Sequence, residues 1–136
     1  MLLKFQEQDQ NQNKMSQIPT KKYDLEDRIV EFAANAALFY QDLPKDAIGN
    51  YYGNQLLRSG GSAALNFGEV QGTNSGKDYI NKASLSLKEL KESRVNLKIL
   101  KKLDFGNSIR RNNLLDEAEQ LIKIIATIIK NKKENP

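Results

Sequence analysis

Polar side chains form a stripe along the second of four predicted helices. Amide, hydroxyl and guanidinium groups make directional hydrogen bonds with specific partners, whereas a solvated helix face more often carries Lys and Glu. The spacing i, i+3, i+4, i+7, i+11 and i+14 places six of them on one side of an α-helix: Gln55, Arg58, Ser59, Ser62, Asn66 and Glu69. The stripe predicts a network between helices of one chain or an oligomer interface; a plain surface and a ligand site are the weaker alternatives.

Lysines form a second stripe, on the third predicted helix. Arg94 and Lys101 border an arc of about 80° that holds five lysines if each residue turns 100°: Lys77, Lys88, Lys91, Lys98 and Lys102. Such a row of cations could follow a phosphate backbone. It could equally be a solvated helix face, because no aromatic residue is interleaved with the lysines to stack on bases.

Two arginines open the fourth predicted helix and add to this positive charge. Arg110 and Arg111 stand where cations oppose the helix dipole, which is locally unfavourable and hints at a use. Residues 1–71 hold 7 Lys and Arg against 9 Asp and Glu, and residues 72–136 hold 14 against 8, so the excess behind the net charge of +4 lies in the second half. The candidate nucleic-acid-binding residues are Lys88, Lys91, Arg94, Lys98, Lys101, Lys102, Arg110 and Arg111.

Carboxylates on the third and fourth predicted helices raise the question of a metal site. Glu89 and Glu92 lie on one helix, and Glu117 and Glu119 lie on the other. Carboxylates can hold Mg²⁺ or Mn²⁺, but di-metal helix bundles also supply histidine, and this chain has none. The same carboxylates could pair with nearby Lys and Arg instead. We therefore expect no metal site.

Absent residue types exclude most enzyme classes. The 136 residues include no histidine, no cysteine and no tryptophan. Without cysteine there is no disulfide framework, thiolate nucleophile or Cys-based zinc site. Without histidine there is no Ser-His-Asp triad and no Glu-x-x-His di-iron site. We expect a protein that is not an enzyme, with no cofactor and no small-molecule substrate.

Composition and length predict one soluble domain. Apolar residues make up 39% and charged residues 28% of a chain of single-domain size. Residues 1–22 are rich in Gln and Asn and hold few apolar side chains, which predicts a flexible N-terminal tail before a domain at 23–133. The N-terminus lacks the apolar run of a signal peptide, and no segment approaches a membrane span. We expect a cytoplasmic location and no membrane partner.

Apolar residues at helical spacing predict four helices, at about 24–42, 46–71, 77–103 and 109–132. Short loops between them favour an all-α, antiparallel up-down-up-down four-helix bundle. Four glycines inside the second helix, at 49, 53, 60 and 61, predict a close approach of another helix or a kink near Gly60. The fourth helix has an apolar arc too broad for one neighbour, so it is either the best-buried helix or faces another subunit.

Five segments in a fixed order carry a family resemblance that covers about 23–131: DLEDR at 24–28, FA at 32–33, QLLRS at 55–59, LKELKE at 87–92 and EAEQLIKI at 117–124. With them the chain resembles the 23S rRNA-intervening sequence protein family, also called four-helix-bundle proteins. One departure is Asn96, where relatives often carry an aromatic residue. The resemblance implies a small bacterial bundle that assembles into homopentamers. It also implies a basic surface, which in one relative assists a reverse transcriptase.

Residues and resemblance together give one expected function and one alternative. We expect a non-enzymatic homo-oligomer that binds RNA or a ribonucleoprotein through the basic side of the third helix. The alternative is a scaffold for protein–protein interactions, or an accessory subunit, for example to a reverse transcriptase, that does not bind nucleic acid directly.

Overall fold

Four antiparallel α-helices make up the described part of the chain. The computed structural model describes residues 22–136, with side chains from Leu25 onward. The helices are α1 (Lys22–Gln41), α2 (Ala47–Gly68), α3 (Gly76–Lys102) and α4 (Ser108–Glu134), with a short 3₁₀ helix at Val70–Gly72. The predicted all-α bundle is confirmed, and the second helix ends three residues earlier than predicted because its last turn tightens into the 3₁₀ helix. Residues 1–21 lie outside the described part, so the tail over 1–22 stays a prediction.

Side-chain caps fix where three of the helices begin. Asp46 accepts a hydrogen bond from the Gly49 amide at 2.7 Å, and Ser75 accepts one from the Asp78 amide at 3.1 Å. Asn107 caps α4 in the same way by accepting from the Arg110 amide at 3.0 Å. Each cap supplies an acceptor for a backbone amide that has no partner within its own helix. The cap therefore defines the residue at which the helix begins.

Two residues of the loop between α3 and α4 have a left-handed backbone conformation. Asp104 has φ of 55° and Gly106 has φ of 83°. A Cβ atom at Gly106 would lie 2.6 Å from the ring of Phe39, so glycine is required here by both conformation and space. The loop thereby brings the start of α4 onto the end of α1.

The core lies along the bundle axis, and each helix contributes one apolar face to it. The largest fully buried apolar side chains are Phe32, Phe39, Ile29, Leu56, Leu90, Leu97, Leu100, Leu121, Ile125 and Val70. In the broad arc of α4, Leu115, Ile124 and Ile128 are half-buried against this core. The alternative, that part of this helix faces another subunit, stays a prediction.

Glycines let α1 and α2 approach closely, and α2 has no break at Gly60. A Cβ atom at Gly53 would overlap the Tyr40 ring, and one at Gly60 would lie 3.7 Å from the Ala33 Cα atom. Gly61 differs, because a Cβ atom there would meet nothing within 4 Å. Close packing therefore explains Gly53 and Gly60 but leaves Gly61 on an open surface. None of the helices within residues 22–136 is both long and apolar enough to cross a membrane.

Candidate functional site

Small polar residues hold α2 against α3 inside the bundle. The hydroxyl oxygens of Ser59 and Ser93 lie 2.6 Å apart, and both side chains are fully buried. Ser86 donates to the Ala63 carbonyl at 2.8 Å across the same interface. Buried hydroxyls must find partners, and here each finds one on the neighbouring helix. Ser59 therefore belongs to a network within one chain.

Arg58 joins the same two helices at the edge of this interface. Its guanidinium donates to Glu89 at 2.8 Å and to Glu92 at 2.5 Å. The hydrogen bond to Glu92, followed by that to Glu89, raises the pKa of Arg58 above its ordinary value. Glu89 is buried, and the Arg58 guanidinium supplies a charged partner in place of the water that Glu89 has lost.

Arginines pair with the other two carboxylates that raised the question of a metal site. Glu117 accepts from Arg28 at 2.6 Å, and Glu119 lies 3.4 Å from Arg94. No group of three acidic residues in the described part of the chain could hold a metal ion. These four glutamates thus stabilise contacts between helices.

The remaining members of the polar stripe bond within α2, pair with α3 or lie near the surface. Asn66 donates to the Ser62 carbonyl one turn earlier at 2.9 Å, and Glu69 pairs with Lys82 of α3 at 2.5 Å. Gln55 is half-buried and meets Arg58 only at 3.5 Å. The stripe therefore works mainly within the chain, and Gln55 keeps polar atoms for another partner.

The five lysines predicted to share an arc of α3 are all exposed. We call them the lysine face: Lys77, Lys88, Lys91, Lys98 and Lys102. None of them forms an ion pair with any residue in 22–136, and neither does the neighbouring Lys101, which is also exposed. By contrast, Arg94 is half-buried and engages Glu119. No ion pair within residues 22–136 therefore neutralises the positive charge of this face.

Arg110 and Arg111 do not join the lysine face, which corrects the prediction made for them. They are only 5% and 4% exposed. Arg110 donates to Asp42 at the end of α1, and Arg111 donates to the Phe105 carbonyl at 2.9 Å. Arg110 thus ties the start of α4 to the end of α1, and Arg111 fastens the loop before α4, so both guanidinium groups are engaged inside the protein.

A groove between α2 and α3 brings aromatic rings beside two of the lysines. It has a volume of about 790 Å³, and its lining includes Tyr51, Tyr52, Gln55, Lys88, Lys91, Val95 and Asn96. The rings of Tyr51 and Tyr52 meet edge to face with centroids 5.0 Å apart. The sequence does not show this pairing, because the tyrosines lie on α2 and the lysines on α3. The available signal was the adjacent pair of Tyr51 and Tyr52 on the neighbouring helix.

A second surface of α2 is apolar and exposed. Leu57, Gly61 and Leu65 recur at i, i+4 and i+8, and we call them the apolar stripe. Leu65 is 75% exposed, and Arg58 is the single charged residue in the 22 residues of α2. Arg58, which lines the groove, lies seven residues before Leu65 and therefore on the same side of the helix, so the apolar stripe borders the groove along α2.

Comparisons with known proteins agree with this fold. The sequence model of the 23S rRNA-intervening sequence protein family matches residues 21–127. A solved structure of a protein of unknown function from the S23 ribosomal protein family of Bacteroides thetaiotaomicron is similar, with a TM-score of 0.70 and 26% identity. The match covers 78% of this chain and 98% of that one. No curated protein matches the chain.

Proposed function

Because this chain belongs to the 23S rRNA-intervening sequence protein family, we propose that it is a non-enzymatic homo-oligomeric bundle that binds RNA through the lysine face. In this proposal the protein acts in the cytoplasm and assembles as a pentamer. The description of the family refers to 23S rRNA, which makes RNA the acidic partner to test first.

The proposal depends on one observation, the lack of acidic partners for the lysine face within residues 22–136. A lysine with an intramolecular partner must exchange it to bind a phosphate, whereas these lysines only release counterions. Lys88 and Lys102 are fourteen residues apart, which corresponds to about 21 Å along the helix at 1.5 Å per residue. That length accommodates several consecutive phosphates of a nucleic-acid strand.

RNA binding is tested by its dependence on salt. A labelled RNA hairpin should bind at about 50 mM salt and weaken steeply towards about 200 mM. Replacing Lys88, Lys91 and Lys98 with Gln should reduce the slope of log affinity against log salt by about 2 to 3, since each phosphate contact contributes about 0.7–0.9. The matched control replaces the exposed Lys123, Lys130 and Lys133 of α4 with Gln, which removes the same charge from another surface.

The control variant should keep most of the salt dependence. Equal losses in the two variants would mean that net charge alone, and not the lysine face, attracts RNA. Absence of binding by the wild-type protein at low salt would overturn the RNA-binding function, and the scaffold function would then replace it.

Self-association in the proposal uses the apolar stripe. Its leucines are exposed, and Arg58, the single charge of α2, lies beside them already paired with Glu89 and Glu92, so a second copy can bury this surface at the cost of desolvating one set of ion pairs. Leu65→Glu should lower the mass measured by light scattering. Ile109→Glu is the matched control, because Ile109 is 70% exposed but lies at the start of α4. A mass unchanged by Leu65→Glu would contradict the use of this stripe.

A further inference from the structure

Tyr51 stands at the rim of the groove with most of its ring in solvent. It is 59% exposed, whereas Tyr52 is half-buried and packs against the core. Because the two rings are perpendicular, with an angle of 89° between their planes, Tyr52 leaves at least one face of Tyr51 uncovered. An exposed aromatic face beside a rigid neighbour is the arrangement on which an unpaired base stacks.

The wall opposite Tyr51 supplies charge and hydrogen-bonding groups. Lys88 and Lys91 of α3 line the groove, and both belong to the lysine face. Asn96 donates to the Glu92 carbonyl at 3.0 Å through its amide nitrogen, so its side-chain oxygen remains free to accept. Gln55 offers a second amide from the α2 side. The groove therefore combines an aromatic ring, amides that can meet base edges and cations that can meet phosphates.

The dimensions of the groove suit a small part of a nucleic-acid strand. Its volume of about 790 Å³ falls in the range of about 300–1,000 Å³ found for small-molecule sites. A duplex keeps its bases stacked on each other, so it cannot offer a base to Tyr51 without losing that stacking. The aromatic ring would therefore distinguish unpaired from paired RNA, which the lysines alone do not.

We propose that this groove binds an unpaired segment of RNA, with one base stacked on Tyr51 and phosphates of the same strand held by Lys88 and Lys91. The inference rests on the proposed function, because it assigns a substrate class to the same lysine face. It adds a preference for single-stranded over duplex RNA, and it makes Tyr51 the residue on which that preference depends.

Tyrosine fluorescence gives a direct test, since the chain has no tryptophan to mask it. Titration with a single-stranded RNA oligonucleotide should quench the emission, and Tyr51→Ala should weaken binding about tenfold, as expected for the loss of one stacked base. Tyr51→Phe should keep the affinity, because stacking does not need the hydroxyl. Val30→Ala, a change at a 51% exposed apolar residue of α1, should have no effect.

Two further ligands separate this inference from the proposed function. Duplex RNA should bind wild type and Tyr51→Ala equally, while the change of Lys88, Lys91 and Lys98 to Gln weakens both ligands. An abasic strand with the same phosphates should bind wild type only as tightly as the normal strand binds Tyr51→Ala. If Tyr51→Ala binds the normal strand like wild type while the lysine variant does not, the stacking inference is overturned and the proposed function stands. If no RNA binds at low salt, both are overturned.

Discussion

Ser59 and Ser93 place their hydroxyl oxygens 2.6 Å apart between α2 and α3, where neither side chain touches solvent. Each hydroxyl also lies near a carbonyl of its own helix: Ser59 is 3.3 Å from the Leu56 oxygen, and Ser93 is 3.1 Å from the Glu89 oxygen. Either serine therefore keeps an acceptor if the other is removed. Small side chains at this point also let the two helices pack closely.

Substitution of Ser59 should depend on size more than on polarity. Ser59→Ala should lower the free energy of unfolding by about 1 kcal/mol or less, because Ser93 can still donate to the Glu89 carbonyl. Ser59→Leu should cost about 1–3 kcal/mol, since a larger group must force the helices apart. Urea denaturation measures both, and equal losses would show that close packing is not what this position requires.

Removal of Arg58 should destabilise the bundle through the buried Glu89. Arg58→Ala should lower the free energy of unfolding by about 1–3 kcal/mol, because Glu89 loses a charged partner in a site with little water. Combining it with Glu89→Gln should recover part of that loss. Lys82→Ala, which breaks the exposed pair with Glu69, is the control and should cost about 0–1 kcal/mol. A double variant no more stable than Arg58→Ala would contradict this account.

Gly106 should tolerate no side chain. Gly106→Ala should cost about 2 kcal/mol or more, because a non-glycine residue in the left-handed region is strained and its Cβ would meet the Phe39 ring. Gly72→Ala tests the same chemical change where a Cβ meets nothing within 4 Å, so its effect should be small. Thermal unfolding of the two variants gives the comparison. Similar melting temperatures would contradict the requirement for glycine at position 106.

Arg111 should matter for stability and not for RNA. Arg111→Ala leaves the Phe105 carbonyl without its donor and should lower the free energy of unfolding by about 1–3 kcal/mol. The affinity for RNA, measured well below the melting temperature, should stay at the wild-type value. Lys98→Ala should give the opposite result, with weaker RNA binding and unchanged stability. Weaker RNA binding by the folded Arg111→Ala variant would contradict this prediction and would show that Arg111 contributes to RNA binding.

Tyr79 should make folding sensitive to alkaline pH. Burial raises the pKa of Tyr79 above its usual 10.0. The unfolded chain therefore releases this proton first, so the stability that the neutral phenol contributes is present below pH 10 and is lost as pH rises through the folded-state pKa. Tyr79→Phe should make the free energy of unfolding fall less steeply above pH 10. Identical slopes for the two proteins would contradict the effect of burial.

Helical periodicity predicted the elements well because it reports which face of each helix is apolar. It cannot report contacts between residues far apart in sequence. Arg110 was expected on the surface, yet Asp42, which lies 68 positions away, holds it in a buried site. Tyr51 was missed for a related reason, since only the antiparallel pairing of α2 with α3 places it beside Lys88 and Lys91. The lysine face itself could be predicted, because one helix contains all of it.

The order of packing in the bundle also bears on how fast it forms. Each helix packs against the next one along the chain, and α1 and α4 are the most distant pair that meet, joined by Arg28 and Glu117. Chains whose contacts are mostly local fold in microseconds to milliseconds, since little loop-closure entropy must be lost before contacts form. Hairpins of adjacent helices can assemble first, and the contacts between α1 and α4 can form only when both ends of the bundle are available. Once the whole chain is available, its apolar faces are therefore exposed only briefly before they pack.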